Sequence, residues 1–507
     1  MAGLEIELKA GLTASDSAKV ARRLKRLTGE EGRRIALAAI YFDTADRRLS
    51  ADGIAFRIRR EGRRLVQTVK AGRSQLGGFH AVREANAPVG RATPDLAAVS
   101  DAALRERLTG LIAGEGLAAR FETRVSRRLW QIPHAHGLVE VALDRGAIRA
   151  GGRQDPVSEV EFELLGGSPE ALFAVARSLI GDVPADLSIP NKAARGEALA
   201  EGVAWRPSVT AGRPTPPESG MSGEEAWRAA IAASAAAVAA NLAMLHRFDD
   251  PEGPHQLRVA LRRLRAAERL HRPLLAGPVS EELAATARDL GRLIAPLRDS
   301  DVLTAEMQAV ADDALSLSLR QANTAVRAET RSALLAAGAT GFAIRLIELA
   351  AVGGWRPGER RADRPAGALS ARVLTRLWKR AARLGDRLST LSDADRHEFR
   401  KLLKKIRYSI DISPVEFRQK PFLNALKKLQ EDLGTLNDIA VLEGWAPAPE
   451  ADAEPGFADA RARLLQVARG KGDLALGRAC RHWRGLRAEV RPWEAWRGLS
   501  RHRERNR

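Results

Sequence analysis

Residues 4–9 read Leu4-Glu5-Ile6-Glu7-Leu8-Lys9. Successive side chains of an extended strand point to opposite faces, so this segment sets Glu5, Glu7 and Lys9 on one face and three aliphatic residues on the other. The same period-two pattern returns in Ala55-Phe56-Arg57-Ile58-Arg59, from Leu65 to Lys70, from Leu138 to Asp144 and from Glu159 to Leu165. Arg57 and Arg59 share a face, Glu140 shares one with Asp144, and Glu159, Glu161 and Glu163 share another. Helical periodicity lies between these strands, at about Ala14–Leu27 and Pro169–Ile180. The pattern predicts a strand-rich α+β domain with mostly antiparallel connections.

One charged strand face is ordinarily solvated. Here the faces are segregated by sign: mixed on the first strand, basic on the middle ones, acidic on the late ones. A solvated surface mixes its signs over short distances. Clustered carboxylates repel unless cations bind between them, and clustered arginines repel unless an anion does. Faces turned into the mouth or lumen of a closed barrel relieve both costs, with divalent metal on the carboxylates and a polyphosphate on the basic side. Mg2+ and Mn2+ suit oxygen ligands and bridge to phosphate oxygens.

Glu5-Ile-Glu7-Leu-Lys9 resembles the N-terminal Glu-x-Glu-x-Lys signature of the CYTH superfamily, the triphosphate tunnel metalloenzymes. Six further segments resemble it in order: Tyr41-Phe42-Asp43-Thr44, Phe56-Arg57-Ile58-Arg59, Thr68-Val69-Lys70-Ala71-Gly72, Val139 to Asp144, Glu159-Val-Glu161-Phe-Glu163 and Asn191-Lys192-Ala-Ala-Arg195-Gly. The resemblance covers about residues 3 to 200. It implies an eight-stranded antiparallel tunnel barrel that hydrolyses inorganic triphosphate or a related triphosphate. Carried over by position, Glu5, Glu7 and Lys9 are the catalytic set. Lys9, Arg57, Arg59, Lys70, Arg127, Lys192 and Arg195 would grip phosphates, and Glu5, Glu7, Glu140, Asp144, Glu159, Glu161 and Glu163 would hold Mg2+ or Mn2+. Arg83-Glu84-Ala85-Asn86 keeps one carboxylate where many relatives carry two. Of Arg124, Arg127 and Arg128, position relative to Trp130 favours Arg127 as the one facing in. Fixed cations and metal would stabilise the charge that develops on the leaving pyrophosphate. A second metal, or Glu5 or Glu7, would orient the attacking water. No Gly-x-x-x-x-Gly-Lys-Ser/Thr loop is present, which excludes a P-loop enzyme.

The chain has 507 residues, too many for one ordinary domain. Residues 203 to 222 hold Pro207, Pro214, Pro216 and Pro217 among small polar residues and read as a semi-extended linker. The expected division is therefore 1–202, a linker at 203–221, and 222–507. Charge is uneven, +6 over residues 1–200 and +13 over the rest, within a total of +19. Such a balance predicts polyanionic partners. A single cysteine, Cys480, rules out a disulfide framework and is expected to be buried and inert. The N-terminus lacks a basic region followed by an apolar run, so no signal peptide is expected. The Ala-rich run from Ala229 to Leu245 reads as a packed helix rather than a membrane span. The expected location is cytoplasmic, with no membrane partner; oligomeric state is open.

The second part has helical periodicity throughout, with inner loops expected at Gly353–Gly367 and Pro447–Gly456. It also repeats itself. His255-x-x-Arg258-x-x-x-Arg262-Arg263-x-Arg265 returns as His397-x-x-Arg400-x-x-x-Lys404-Lys405-x-Arg407-Tyr408, 142 residues later. Leu297-Arg298-Asp299 returns as Leu436-Asn437-Asp438, 139 residues later. Two motifs in the same order at nearly the same separation argue for an internal duplication, over about 222–352 and 366–500. His255, Arg258, Arg262 and Arg265 form one helix stripe with Leu257, Leu261 and Leu264 beside it. A basic helix face is often simply solvated. Here Glu268 is the sole acid from His255 to Arg272, so these cations lack helix neighbours to pair with.

These motifs resemble the CHAD domain, an α-helical module that binds inorganic polyphosphate, over about 222 to 500. The resemblance implies two pseudo-symmetric four-helix bundles, with His255, Arg258, Arg262, Arg263, Arg265, His397, Arg400, Lys404, Lys405, Arg407 and Tyr408 lining a groove or pore. Asp299 and Asp438 would order neighbouring arginines. Neither His255 nor His397 has a partner at metal-ligand spacing. A triphosphatase joined to a polyphosphate-binding module, which could also attach the protein to polyphosphate granules, is the first expectation. The alternatives are a non-catalytic polyphosphate binder, against which the intact Glu5/Glu7/Lys9 set speaks, and a nucleic-acid binder. Few aromatic residues lie near the basic stripes to stack on bases, so no specific nucleic acid is expected.

Overall fold

A computed structural model describes residues 3–72, 75–218, 220–307, 313–355, 364–444 and 457–496. The chain forms two compact units. One comprises Met1–Thr210, Ala239–Arg247 and Leu335–Val352; the other comprises Ala211–Val238, Phe248–Leu334 and Gly353–Arg507.

The first unit is built on nine strands: β1 (Gly3–Gly11), β2 (Arg33–Asp43), β3 (Ile54–Glu61), β4 (Arg64–Ala71), β5 (Gln75–Leu76), β6 (Phe79–Val89), β7 (Ala118–His134), β8 (Gly137–Ala150) and β9 (Arg153–Gly167). Their order is β1-β9-β8-β7-β2-β3-β4-β6-β5, and β1 also pairs with β6. That last pairing closes eight strands into a barrel and leaves β5 as a short appendage of β6. Every pairing is antiparallel.

The register decides which face turns inward. Residues directly opposite on neighbouring strands share a face. Glu7 pairs with Glu163 and Lys9 with Glu161; Glu163 pairs with Glu140 and Glu159 with Asp144; Asp144 pairs with Arg127. Arg127 pairs in turn with Ile35, Tyr41 with Arg57, Arg57 with Thr68, Lys70 with Glu84, and His80 with Glu7. The ring returns to its starting residue, and it puts the charged side chains of the five alternating segments on the inner face of the barrel. The outward residues form the core instead. Phe56, Ile58 and Val69 pack with Leu104 and Leu108 of α3 (Ala102–Ile112). Phe79 meets Phe173 of α4 (Pro169–Ile180). Alternation thus survives with one face in a polar lumen and the other packed over much of its area against helices.

The helix expected at about Ala14–Leu27 is α1, Ala14–Thr28, opened by Thr13, whose side chain accepts a hydrogen bond from the Asp16 backbone N–H. A short helix, α2 (Arg48–Ala51), follows β2, and α5 (Lys192–Ala200) ends the barrel segment. Strand β2 does not alternate visibly in sequence because its lumen-facing residues, Ile35, Leu37, Ala39 and Tyr41, are themselves mostly apolar. Residues 203–218 carry neither helix nor strand.

The remaining described residues are mostly helical: α6 (Gly223–Arg247), α7 (Glu252–His271), α8 (Gly277–Leu293), α9 (Ala295–Met307), α10 (Asp313–Ala336), α11 (Ala339–Ala351), α12 (Ala366–Gly385), α13 (Asp393–Asp411), α14 (Lys420–Gly444) and α15 (Phe457–Ala488). The repeated histidine motifs occupy α7 and α13, which pack on each other. The second motif falls on α9 and on the continuous α14. Pro296 stands at the start of α9 where α14 has Thr435, and proline removes a helix hydrogen bond, so one copy is broken where the other runs through. Leu257, Leu261 and Leu264, and their counterparts Phe399, Leu403 and Ile406, are buried. Helix α12 begins at Ala366, inside the loop expected at Gly353–Gly367; most of that loop, and Pro447–Gly456, lie outside the described residues. Helix α6 is long and apolar enough to cross a membrane, with a mean hydropathy of 1.6 over an 18-residue window. Of that window 67% is buried inside the protein, the pattern of a core helix.

Candidate active site and candidate anion groove

The barrel encloses a cavity of about 820 Å³. Twelve of the residues expected there line it: Glu5, Glu7, Lys9, Arg57, Arg59, Lys70, Arg127, Glu140, Asp144, Glu161, Glu163 and Lys192. Arg124 and Arg128 turn outward instead. Arg124 meets Glu122, and Arg128 covers the Trp130 ring and pairs with Glu31.

Two charge clusters share this lumen. In the first, Arg127 donates to both carboxylate oxygens of Asp144, at 2.7 Å each, and also to Glu161. Lys192 Nζ lies 2.7 Å from Asp144 and 2.8 Å from Glu161, and bonds Glu159 too. Lys9 stands 3.7 Å from Glu7 and 3.6 Å from Glu161. Burial works against charge on Lys9, Lys192 and Arg127, but the surrounding carboxylates outweigh it and hold all three above their ordinary pKa values. The same cations hold Asp144 and Glu161 below the usual carboxylate range despite burial. In the second cluster Lys70 bridges Glu5 and Glu84. Burial pushes the Glu5 carboxyl up to about 8, against the pull of Lys70 and with Glu84 hydrogen-bonded to it. Burial also raises Glu163. Burial pushes His80 down to about 4, helped by Lys9.

Arg57 and Arg59 are less well matched. Arg57 donates to the Tyr41 hydroxyl at 3.3 Å, and Arg59 pairs with Glu61. The Nε of each is buried without a hydrogen-bond partner. Burial and the neighbouring Arg57 lower the pKa of Arg59. Buried guanidinium donors without acceptors suit the oxygens of a phosphate, which binds arginine in a fork.

Two expected residues do not line the cavity. Arg195 binds Asp155 at 2.7 Å and the Pro156 carbonyl at 2.6 Å, clamping α5 onto β9. Glu159 is fully buried beneath the lumen between Lys192 and Arg195. The segment Asn191 to Gly196 works as one device. The Asn191 side chain caps α5 by accepting from the Ala194 N–H at 2.8 Å, which fixes Lys192 at the first helical position. Gly196 lets the helix approach β7, because a Cβ there would sit 2.1 Å from the Phe121 ring. In the Tyr41 to Thr44 segment, buried Asp43 accepts from the backbone N–H groups of Thr44, Leu49 and Ser50. That is a structural role in holding the β2–β3 connection.

The donor set fits a hard divalent cation. One ligand oxygen from each of Asp144, Glu159 and Glu161 lies within 4.8 Å of the others, and Glu5, Glu7 and Glu163 add carboxylates in the same cavity. The ammonium of Lys192 sits among the first three.

In the second unit a cavity of about 790 Å³ lies along α7 and α13. Among the described residues eleven Lys and Arg side chains line it against four carboxylates. His255, Arg258, Arg262, Arg265, His397, Arg400, Lys404, Lys405 and Tyr408 are there; Arg263 and Arg407 are not. Arg263 is buried behind the stripe, 3.8 Å from Asp411 and over the Tyr408 ring, because position +8 from the histidine lies on a different helix face from +7. Asp299 stands 3.6 Å from Arg258, and its counterpart Asp438 acts on Arg400 and Lys404. His397 hydrogen-bonds Asn437 at 2.7 Å. The second repeated motif therefore props up the first. Burial and neighbouring cations lower the pKa of Arg258 and Arg265, and push Lys404 down to about 7. His255 is lowered by burial and by Arg298. Cations that depress one another are short of an anion. Cys480 is half-buried against the core of this unit.

Residues 3–194 match the CYTH domain family, and residues 229–447 match the CHAD domain family. The chain carries a CYTH domain followed by a CHAD domain. An inorganic triphosphatase of Haemophilus influenzae is 31% identical over 201 residues, 38% of this chain and 54% of that protein. The chain thus spans about half the length of this curated relative. Among solved structures, the CHAD domain of the plant Ricinus communis is similar over 56% of this chain and 98% of its own, at 23% identity and a TM-score of 0.45. An adenylyl cyclase-like protein of Hippeastrum, described as having a dominant triphosphatase activity, is similar over 40% of this chain and 97% of its own, at 18% identity and a TM-score of 0.32.

Sequence reasoning missed several lining residues of both domains. His80 and Asn86 line the CYTH cavity on either side of Glu84, the one carboxylate noted in that stretch, and share its period-two face of β6. In the CHAD domain, Arg269 continues the α7 stripe by four residues, and Arg288 and Arg292 stand one turn apart on α8. Nothing in the sequence brings α8 to the groove, since that contact is tertiary.

Proposed function

We propose that the CYTH barrel hydrolyses inorganic triphosphate, or a closely related triphosphate, with a divalent cation such as Mg2+ or Mn2+. One observation carries the reading: an enclosed lumen in which Arg57, Arg59, Lys70, Arg127 and Lys192 converge on the same space as Glu5, Glu7, Glu161 and Glu163. Arg57 and Arg59, with donors to spare, bind and orient the phosphate chain. Lys9 and Arg127 are held by carboxylates on the inner wall and stand fixed where negative charge grows on the leaving group, so little reorganisation accompanies bond breaking. Glu5, Glu7, Asp144, Glu161 and Glu163 would hold the cation, which supplies charge neutralisation and a polarised water when bound. The surrounding barrel wall lowers the local dielectric, which strengthens each of these interactions.

The CHAD groove, in the same reading, binds inorganic polyphosphate, and a cytoplasmic protein that engages polyphosphate granules fits both halves. Support comes from the excess of cations over carboxylates and from the scarcity of aromatic lining, Tyr408 apart, which disfavours base stacking.

Phosphate release from triphosphate, nucleoside triphosphates and other triphosphates, assayed with several divalent ions, tests the first reading. Activity on triphosphate that is lost in Glu7→Ala and Lys9→Ala supports it, and an inert wild-type protein rejects it. Competition between long-chain polyphosphate and DNA for the full chain, at matched phosphate concentration, tests the second. Preference for DNA rejects it.

A further inference from the structure

Helix α12 contains no Asp or Glu between Ala366 and Gly385, yet carries Arg372, Arg376 and Arg380 at successive four-residue intervals. These three fall on one stripe of the helix, spanning about 12 Å of its length. All three are exposed, but they do not stand on a convex surface. With Arg269 and Arg272 from the end of α7, Arg364 and Lys405, they rim a second cavity, of about 660 Å³. Among the described residues seven cations line it and no carboxylate does, and its floor is apolar, from Leu270, Pro273, Leu369, Val373 and Leu377. Arg372 and Arg376 make no ion pair among the described residues. Glu398 is the acid at its border, 3.9 Å from both Arg380 and Lys405.

A solvated basic helix is the ordinary explanation of such a stripe. Two observations count against it. The arginines converge on a concave site together with cations from two other helices, which costs repulsion unless an anion is present. That site also adjoins the central CHAD groove, with Arg269 and Lys405 lining both cavities. On α7 the row from Arg258 to Arg269 runs about 16 Å along the groove before reaching this junction.

We propose that the α12 cavity is an extension of the polyphosphate groove, so that a long inorganic polyphosphate chain passes Arg269 and Lys405 and lies against Arg372, Arg376 and Arg380, which a short chain held in the central groove does not reach. The inference rests on the reading of the central groove as a polyphosphate site. It makes the domain a reader of chain length: the affinity gained beyond the central groove comes from α12.

The test is binding of short-chain and long-chain polyphosphate to the full-length protein and to the triple variant Arg372→Ala, Arg376→Ala, Arg380→Ala, across a series of salt concentrations. All three arginines are exposed, and circular dichroism checks that the variant keeps its fold. Any binding in the CYTH barrel is common to both proteins and cancels in the comparison. The expected result is unchanged affinity for the short chain and roughly tenfold weaker affinity for the long one, with the salt slope for the long chain falling by about two, in line with about 0.7 per lost phosphate contact on a flexible polyanion. Equal long-chain affinity and slope in both proteins overturn the inference, and so does equal weakening for both chain lengths, which marks a general field rather than a track. A wild-type protein that binds neither length overturns the central-groove reading and this inference together. One that binds the short chain while ignoring the α12 arginines overturns this inference alone.

Discussion

Lys192 Nζ lies 2.7 Å from the Asp144 carboxylate, at the centre of the same three acids whose oxygens are spaced to hold a cation. The lysine and a divalent ion are alternative ways of neutralising one buried charge cluster. Lys192→Ala leaves Asp144, Glu159 and Glu161 with Arg127, Lys9 and Arg195 alone. Removing one partner of a buried ionic network costs about 3–5 kcal/mol. The expected outcome is a marked fall in the Tm of the metal-free variant and a larger rise in Tm on adding Mn2+ than the wild-type protein shows. Differential scanning fluorimetry with and without Mn2+ checks it.

Arg127 and Arg128 are neighbours in sequence on opposite faces of β7. Arg127→Ala should lower kcat/KM for triphosphate about 10²–10³-fold, the usual cost of removing a preorganised group that stabilises developing negative charge. Arg128→Ala, which loses its contacts with Glu31 and Trp130, should leave kcat/KM unchanged. Steady-state phosphate release reads both.

A similar contrast separates Arg262 from Arg263 on α7. Arg262→Ala should weaken polyphosphate binding. Arg263→Met should not, and should be neutral or slightly stabilising, because two of its guanidinium nitrogens are buried without hydrogen-bond partners and its ion pair is long. Titration with polyphosphate and urea unfolding separate the two effects.

Lys404 is pushed down to about 7 by burial and by Arg400, Arg262 and Arg258, with Asp438 opposing. Between about 7 and the ordinary lysine value the unfolded chain holds a proton that the folded chain lacks, so this group makes stability rise with pH through that window and lowers it below about 7. A bound polyanion restores the charge. Polyphosphate binding at pH 8 should therefore take up a proton, and affinity should fall as pH rises from 7 to 9. Calorimetry in buffers of different ionisation enthalpy measures the uptake, and Lys404→Arg, which stays charged, should abolish it.

The alternation in Glu5-Glu7-Lys9, Arg57-Arg59, Glu140-Asp144 and Glu159-Glu161-Glu163 was enough to assign strands and to say which residues travel together, because a strand has only two faces. The duplicated motifs likewise placed two basic helices, and the buried leucines of the first, from spacing alone. Local pattern carries that much since a face is a property of a few consecutive residues. Which face turns inward, and against what, is a property of strand pairing. Closure of β1 on β6 is what puts acids and bases in one lumen, and the long-range approach of α5 is what sends Lys192 into it while turning Arg195 onto Asp155. The same holds for the arginines of α8 and α12, whose place in a groove follows from helices far apart in sequence, whereas Arg263 and Arg269 follow the helical period of α7 itself. Charge type and periodicity are written along the chain, whereas enclosure arises only when distant segments meet.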